Sequence, residues 1–175
     1  MSDDKIVIEP DEEDIIWDRG EGVRKKTFHI LTFSLGRENY CVSLNQMKEV
    51  IRPLSITRVP NSPDFIVGVI NLRGEIVTVL DIRHFFGLSD VEKAKDARIM
   101  ITTITGSCVG VMIDKMGAII EIEEEVIQPP LATFNGKLAE YTKGEVQLGS
   151  DILVLLDLKK VLNNEVISNL RKGAS

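Results

Sequence analysis

The sequence predicts a mainly β protein: two similar small β-barrels in one chain, followed by a C-terminal α-helix. Three observations carry this. Short runs rich in Val, Ile, Thr and Phe recur along most of the 175 residues, bounded by Gly, Pro, Asn or Asp. The stretch GVINLRGEIVTVLDIRHFFG (68–87) is echoed by GEVQLGSDILVLLDLKKVLN (144–163), 76 residues later and without a gap. The one long helical stripe of apolar residues lies at the end of the chain.

Residues 1–26 are acidic and then basic, with Gly20 and Gly22 near the join and RKK at 24–26. They read as a disordered tail, in which Ile15, Ile16 and Trp17 form a short apolar knot. From Thr27 the expected strands are 28–35, 38–44, 68–73, 75–82, 97–104, 107–114, 117–122, 144–148 and 151–158. Strands so short and regularly spaced indicate closed or sandwiched β structure. Polar breaks at 91–96 and 131–143 read as connections. In 158–172, Leu158, Val161, Leu162, Val166, Ile167 and Leu170 fall on one helical stripe. The expected division is a tail (1–26), a first barrel (27–91), a second barrel (92–157) and a helix (158–172).

The echo pairs Gly68 with Gly144, Leu72 with Leu148, Ile76 with Ile152, Leu80 with Leu156 and Asp81 with Asp157. A second pairing joins YCVSL (40–44) to SCVGV (107–111), and then Met47, Val50 and Ile51 to Met116, Ile119 and Ile120. In both copies a strand ends in Asp before a helical segment, where a carboxylate caps free backbone N–H groups. Asn71 and Arg73 are replaced by Gln147 and Gly149 in the second copy, so they belong to the first copy alone.

Composition narrows the function. A net charge of −6 argues against a general nucleic-acid binder. No apolar stretch reaches the roughly 18–20 residues of a membrane span, and the acidic N-terminus is unlike a secretion signal. Cys41 and Cys108 each sit in an apolar run and read as buried, reduced thiols in a cytoplasmic protein.

Catalysis finds little support. The chain has two histidines, His29 and His84, no HExxH, no phosphate-cradling glycine loop and no EF-hand loop. Neither a cofactor nor a metal is expected. Glu121 and Glu123 to Glu125 read as a solvated face. The strongest polar constellation is Asn71, Arg73, Glu75, Asp81, Arg83 and His84, where nothing supplies a nucleophile and base together; a hydrolase using Asp81 and His84 is the weakest reading. Arg73-Gly74-Glu75 reads as a tight turn, and an arginine at a strand end beside it is placed to fork onto a partner's carboxylate or backbone carbonyl.

FHILTFSLGRENYCVSLNQMKEVIRPLSITRVPNSPDFIVGVINLRGEIVTVLDIRHFFGL (28–88) resembles the opening half of the CheW family of chemotaxis adaptors. Agreement continues through ARIMITT, VGVMIDKM, IQPP, AEYTKG and DILVLLDLKKVL. The most specific pieces are Val-Pro-x-x-Pro (59–63), Gly-Val-Ile-Asn-Leu-Arg-Gly (68–74) and Val-x-x-Asp (111–114). Thr78 stands where the family usually has proline, and it keeps a ladder N–H that proline lacks.

The resemblance implies two five-stranded, SH3-like β-barrel subdomains and a role without catalysis. It implies an adaptor that couples membrane-spanning chemoreceptors to the histidine kinase CheA in signalling arrays. The alternative is a coupling module of another two-component pathway. The implied partners are the regulatory domain of CheA and the cytoplasmic tips of methyl-accepting chemoreceptors, with no nucleic acid and no membrane insertion. The implied protein is a monomer when isolated, joins rings in arrays, and is cytoplasmic but recruited to membrane-associated arrays. Residue by residue, the resemblance places receptor contacts at Met47, Glu49, Asn71 and Arg73. It places Gly68 on the kinase or groove surface, and Phe134, with Thr133 as the alternative match, at the second-barrel contact to the kinase.

Overall fold

The computed structural model describes residues 6–7, 25–88, 94–131 and 136–163. In chain order the strands are β1 (Ile6–Val7), β2 (Thr27–Leu35), β3 (Glu38–Ser43), β4 (Glu49–Ile51), β5 (Ile66–Leu72), β6 (Glu75–Leu80), β7 (Arg98–Ile104), β8 (Ser107–Ile113), β9 (Lys115–Glu123), β10 (Ile127–Gln128), β11 (Thr142–Leu148) and β12 (Asp151–Leu156). Short helices are α1 (Arg83–Phe86), α2 (Lys137–Tyr141) and α3 (Leu158–Leu162). All nine strands expected from β-branched alternation are present, with ends shifted by a few residues. β4 was not expected, because three residues are too few to show a period of two. The connection expected over 131–143 contains α2. The C-terminal helix is described only over Leu158–Leu162, and its expected remainder lies outside the described residues. So does the Ile15–Trp17 knot. Within the tail expected to be disordered, Ile6 and Val7 pair with β4.

The strands form two sheets, ordered β1-β4-β7-β8-β6-β5 and β10-β11-β12-β3-β2-β9. Each has five main strands and one two-residue edge strand; among the described residues neither sheet closes on itself, so the expected barrels are open, in keeping with two SH3-like units. The strand pairing does not divide the chain into 27–91 and 92–157. The hairpin β2–β3 joins the sheet that holds β9 to β12, while the hairpin β7–β8 joins the sheet that holds β4 to β6. Each barrel therefore combines the hairpin of one repeat with the later strands of the other. Parallel contacts seal both exchanges, Val154 against Tyr40 and Thr78 against Val109. Thr78 is thus paired on both sides, with Val69 across the antiparallel ladder.

Strand alternation sorts the side chains into three cores. Ile51, Ile70, Val77, Val79, Ile99 and Ile101 fill one barrel, and Ile30, Cys41, Ile122, Val146, Leu153 and Leu155 fill the other. The neighbours facing the opposite way, including Leu31, Val42, Val50, Leu80, Met100, Val111 and Leu156, build the largest core between the barrels. A one-residue slip of any strand would exchange these faces, so the register is strongly specified. Cys41 is fully buried, and burial pushes its thiol pKa up to about 12, whereas Cys108, also expected to be buried, is only half-buried.

A charged cluster marks the joint. Asp81 follows β6, Asp114 lies where the chain passes from β8 to β9, and Arg83 opens α1. Arg83 Nε donates to Asp81 Oδ1 at 2.9 Å, Nη2 to Asp81 Oδ2 at 2.6 Å, and Nη1 to Asp114 Oδ1 at 3.3 Å. Asp114 also accepts the Gly36 N–H from the β2–β3 turn, so one arginine ties both sheets together. Asp157 caps α3 as expected, accepting the Lys160 N–H at 3.2 Å. Asp81 accepts the Arg83 N–H at 3.0 Å, but its main partner is the guanidinium.

Candidate functional site

The turn between β5 and β6 organises the site. Leu72 pairs with Glu75, and the two residues between them, Arg73 and Gly74, have φ of 52° and 88°. Two consecutive positive φ angles define a type I′ turn, whose twist matches that of the flanking strands. Asn71 Oδ1 accepts the Gly74 N–H at 2.8 Å and fixes the turn. Gly149, the equivalent of Arg73 in the second copy, also has a positive φ, of 60°. The first copy thus holds an arginine where backbone sterics favour glycine, at a strain of roughly 1 kcal/mol.

From that turn Arg73 reaches Glu49 on β4. Nη1 donates to Oε1 at 2.9 Å and Nη2 to Oε2 at 2.8 Å, a two-pronged fork. The Glu49 side chain is 9% exposed, whereas that of Arg73 is 56% exposed. The carboxylate hydrogen bonds and charge raise the Arg73 pKa above its ordinary value. The carboxylate end of the pair is buried, and the guanidinium faces solvent with N–H donors to spare. The fork expected toward a partner is thus made within the chain instead, between two of the residues singled out as receptor contacts.

The other expected site residues differ in placement. Asn71 is exposed beside the fork. Met47 is only 5% exposed and packs in the central core, so its side chain offers no surface to a partner. Its segment, NQMKEVIR, leads from a 3₁₀ turn at Leu44–Gln46 into β4, and the methionine points inward. Gly68 sits at a β-bulge with φ 150°, where residues 56–57 cross β5. A Cβ there would lie 2.4 Å from Thr57 O and 2.7 Å from Ile56 Cγ2. Gly68 is therefore required by close backbone approach, and it bears on any partner surface only through shape. Phe134 and Thr133 lie outside the described residues.

Sequence reasoning missed two features. Ile76 and Ile152, equivalent under the 76-residue shift, are 64% and 52% exposed, so each barrel presents an isoleucine on its second hairpin strand. Their exposure was hidden because each lies in an otherwise buried apolar run. The Lys48 ammonium, next to Glu49, lies 3.4 Å from Cys108 Sγ. As for the catalytic candidates, the Asp81 carboxylate is bound by Arg83, and His84 is exposed on α1. Among the described residues no three His, Cys, Asp or Glu side chains are grouped to hold a metal. No helix among them is long and apolar enough to cross a membrane.

A family model described as CheW-like domain matches residues 29–166. The chain belongs to the CheW-like family. A chemotaxis protein CheW of Klebsiella aerogenes is 31% identical over 146 residues, 82% of this chain and 88% of that protein. One from Treponema pallidum is 28% identical over 152 residues, covering 85% and 89%. The scaffolding protein TtCheW from Thermoanaerobacter tengcongensis has a similar solved structure, with a TM-score of 0.71 and 32% identity over 79% of this chain and 94% of that one.

Proposed function

We propose that this chain is a non-catalytic chemotaxis adaptor that couples transmembrane chemoreceptors to the histidine kinase CheA. It acts in the cytoplasm and is recruited to membrane-associated receptor arrays. One observation carries the reading: Arg73 is held at a positive φ, half exposed, and anchored by a buried Glu49, where the second barrel has glycine. The guanidinium satisfies the buried Glu49 carboxylate on one side and keeps N–H donors toward solvent on the other. It suits recognition of a partner carboxylate or backbone carbonyl, with Glu49 setting its direction.

In this reading Glu49, Asn71 and Arg73 form the receptor-facing surface, and Met47 acts indirectly by fixing β4 from within the core. Gly68 borders the kinase or groove surface, and Phe134, or Thr133 in its place, contacts the kinase regulatory domain. Support comes from the family membership and from the likeness to a scaffolding protein. Interfaces of this kind need apolar centres with charged rims, and burial of roughly 1,200–1,600 Å² makes a specific contact.

The test is co-sedimentation of the protein with receptor-containing membranes. Arg73→Lys keeps the charge but loses the fork, and it is expected to reduce co-sedimentation while CheA regulatory-domain binding stays unchanged. Equal recovery of native and variant protein on receptor membranes would contradict the assignment.

A further inference from the structure

The chain crosses from one sheet to the other between β3 and β4, and Gln46 sits in that crossing, 8% exposed. It is bonded on two sides. Its side-chain Oε1 accepts the N–H of Leu158, the first residue of α3, at 2.8 Å. Its backbone carbonyl accepts the Thr102 hydroxyl of β7 at 2.5 Å. Two residues on, the Lys48 N–H donates to Ile101 O at 2.8 Å, and Glu49 then opens β4. α3 follows β12 of one sheet and β7 belongs to the other, so a single residue fastens the approach to Glu49 to both halves of the molecule. The N–H groups of a helix's first turn have no partner within the helix, and Leu158 is buried, so without Gln46 that donor loses the acceptor it needs.

The two copies differ at this residue. The pairing of Met47 with Met116 sets Lys115 against Gln46 and Ala118 against Glu49, and the 76-residue echo sets Gly149 against Arg73. Lys115 is exposed, and its ammonium offers only donors. Positions that serve both barrels alike, Gly68 with Gly144 and Asp81 with Asp157, are kept in both copies, whereas Gln46, Glu49 and Arg73 each occur in the first copy alone. These three departures are contiguous: Gln46 lies one short segment from Glu49, and the fork joins Glu49 to Arg73.

We propose that Gln46 is a positioning residue for the Glu49–Arg73 pair. By holding the start of β4 to α3, it sets where the exposed guanidinium stands relative to the seam between the sheets. Its consequence for receptor docking rests on the adaptor reading above, whereas its hold on the fork does not.

The test reads the Arg73 guanidinium by NMR on the full-length protein. Gln46→Met keeps the reach of the side chain but removes the acceptor, and the Arg73 guanidinium protons are expected to exchange with solvent about two- to tenfold faster. Gln46→Glu restores an acceptor and is expected to return the rate to within about twofold of the native value. Val146→Ala, which opens a cavity in the core of the other barrel, lowers stability and is expected to leave the rate unchanged. Should Gln46→Met fail to fold, Thr102→Val releases the same residue from β7 and is read in its place. On receptor-containing membranes Gln46→Met is expected to reduce recovery as Arg73→Lys does, and the double variant to lose no more than the larger single loss. Unchanged exchange in Gln46→Met, or an equal rise in Val146→Ala, overturns the positioning role. Faster exchange with fully additive losses on membranes overturns the link between Gln46 and docking. If exchange rises as expected but Arg73→Lys is recovered like native protein, the positioning role stands and the receptor-facing reading of the fork fails.

Discussion

Replacing Gly68 with alanine tests the close packing that positions the site. The new Cβ would stand 2.4 Å from Thr57 O and 2.7 Å from Ile56 Cγ2, inside any real contact, with the backbone at φ 150°. Strain at such a φ costs on the order of 1–3 kcal/mol for a non-glycine residue. Relief requires residues 56–57 to move off β5, which breaks the paired bonds Thr57 N to Val69 O (2.9 Å) and Val69 N to Thr57 O (2.8 Å). Two such bonds contribute about 1 kcal/mol each. The total is roughly 3–5 kcal/mol, a large part of the stability of an ordinary domain. At about 2–4 °C per kcal/mol for a chain of this size, the Tm should fall by about 10 °C. Gly74→Ala is the internal control: its φ is 88°, but nothing lies within 4 Å of the added Cβ, so only backbone strain of about 1 kcal/mol is expected. Calorimetry on both variants reads the difference. A Gly68→Ala protein that melts no lower than Gly74→Ala would refute the close-approach argument, and Gly68 would regain a direct partner role.

Arg83→Ala strands two carboxylates that are each 10% exposed, and urea unfolding should show a loss of about 3–5 kcal/mol; a loss under about 1 kcal/mol would deny the joint between the sheets. The Glu49–Arg73 fork should appear in a double-mutant cycle: Arg73→Ala destabilises the native chain more than it does a Glu49→Gln chain, by an amount that solvent screening at the exposed guanidinium keeps small. Additive effects would show the fork to be absent in solution. Burial raises the Cys41 pKa from 9.0 to about 12, so the neutral thiol is favoured in the folded state. Stability from this source is complete below pH 9 and declines as pH rises toward 12, by on the order of 1 kcal/mol at pH 10. Denaturation midpoints at pH 8 and pH 10 should therefore converge in Cys41→Ala relative to the native chain, and an identical pH dependence would contradict the burial.

Much of the fold is written locally. β-branched alternation marked nine strands, and the shared Gly68/Gly144 and Asp81/Asp157 positions marked the duplication. In the structure Gly144 repeats the close approach of Gly68, its Cβ position lying 2.5 Å from Gln128 O. The exchange of hairpins was not legible, because two similar repeats offer equivalent edges and the choice is made by non-local pairing. Comparing the copies isolated Asn71 and Arg73 correctly as features of the first barrel alone. It could not reveal that Arg73 folds back on Glu49, 24 residues earlier, since no local spacing encodes that contact. Met47 misled for a related reason. Its role comes from the resemblance alone, and in the structure its side chain follows the turn at Leu44–Gln46 into the core.

As the adaptor proposed above, one chain would hold a receptor tip and the kinase regulatory domain at the same time on separate surfaces. Sedimentation velocity on a mixture of this protein, a CheA regulatory domain and a receptor cytoplasmic fragment tests it directly. The account predicts a species containing all three components at concentrations on the order of tens of micromolar. Only binary complexes, with each partner displacing the other, or no complex at all, would contradict it.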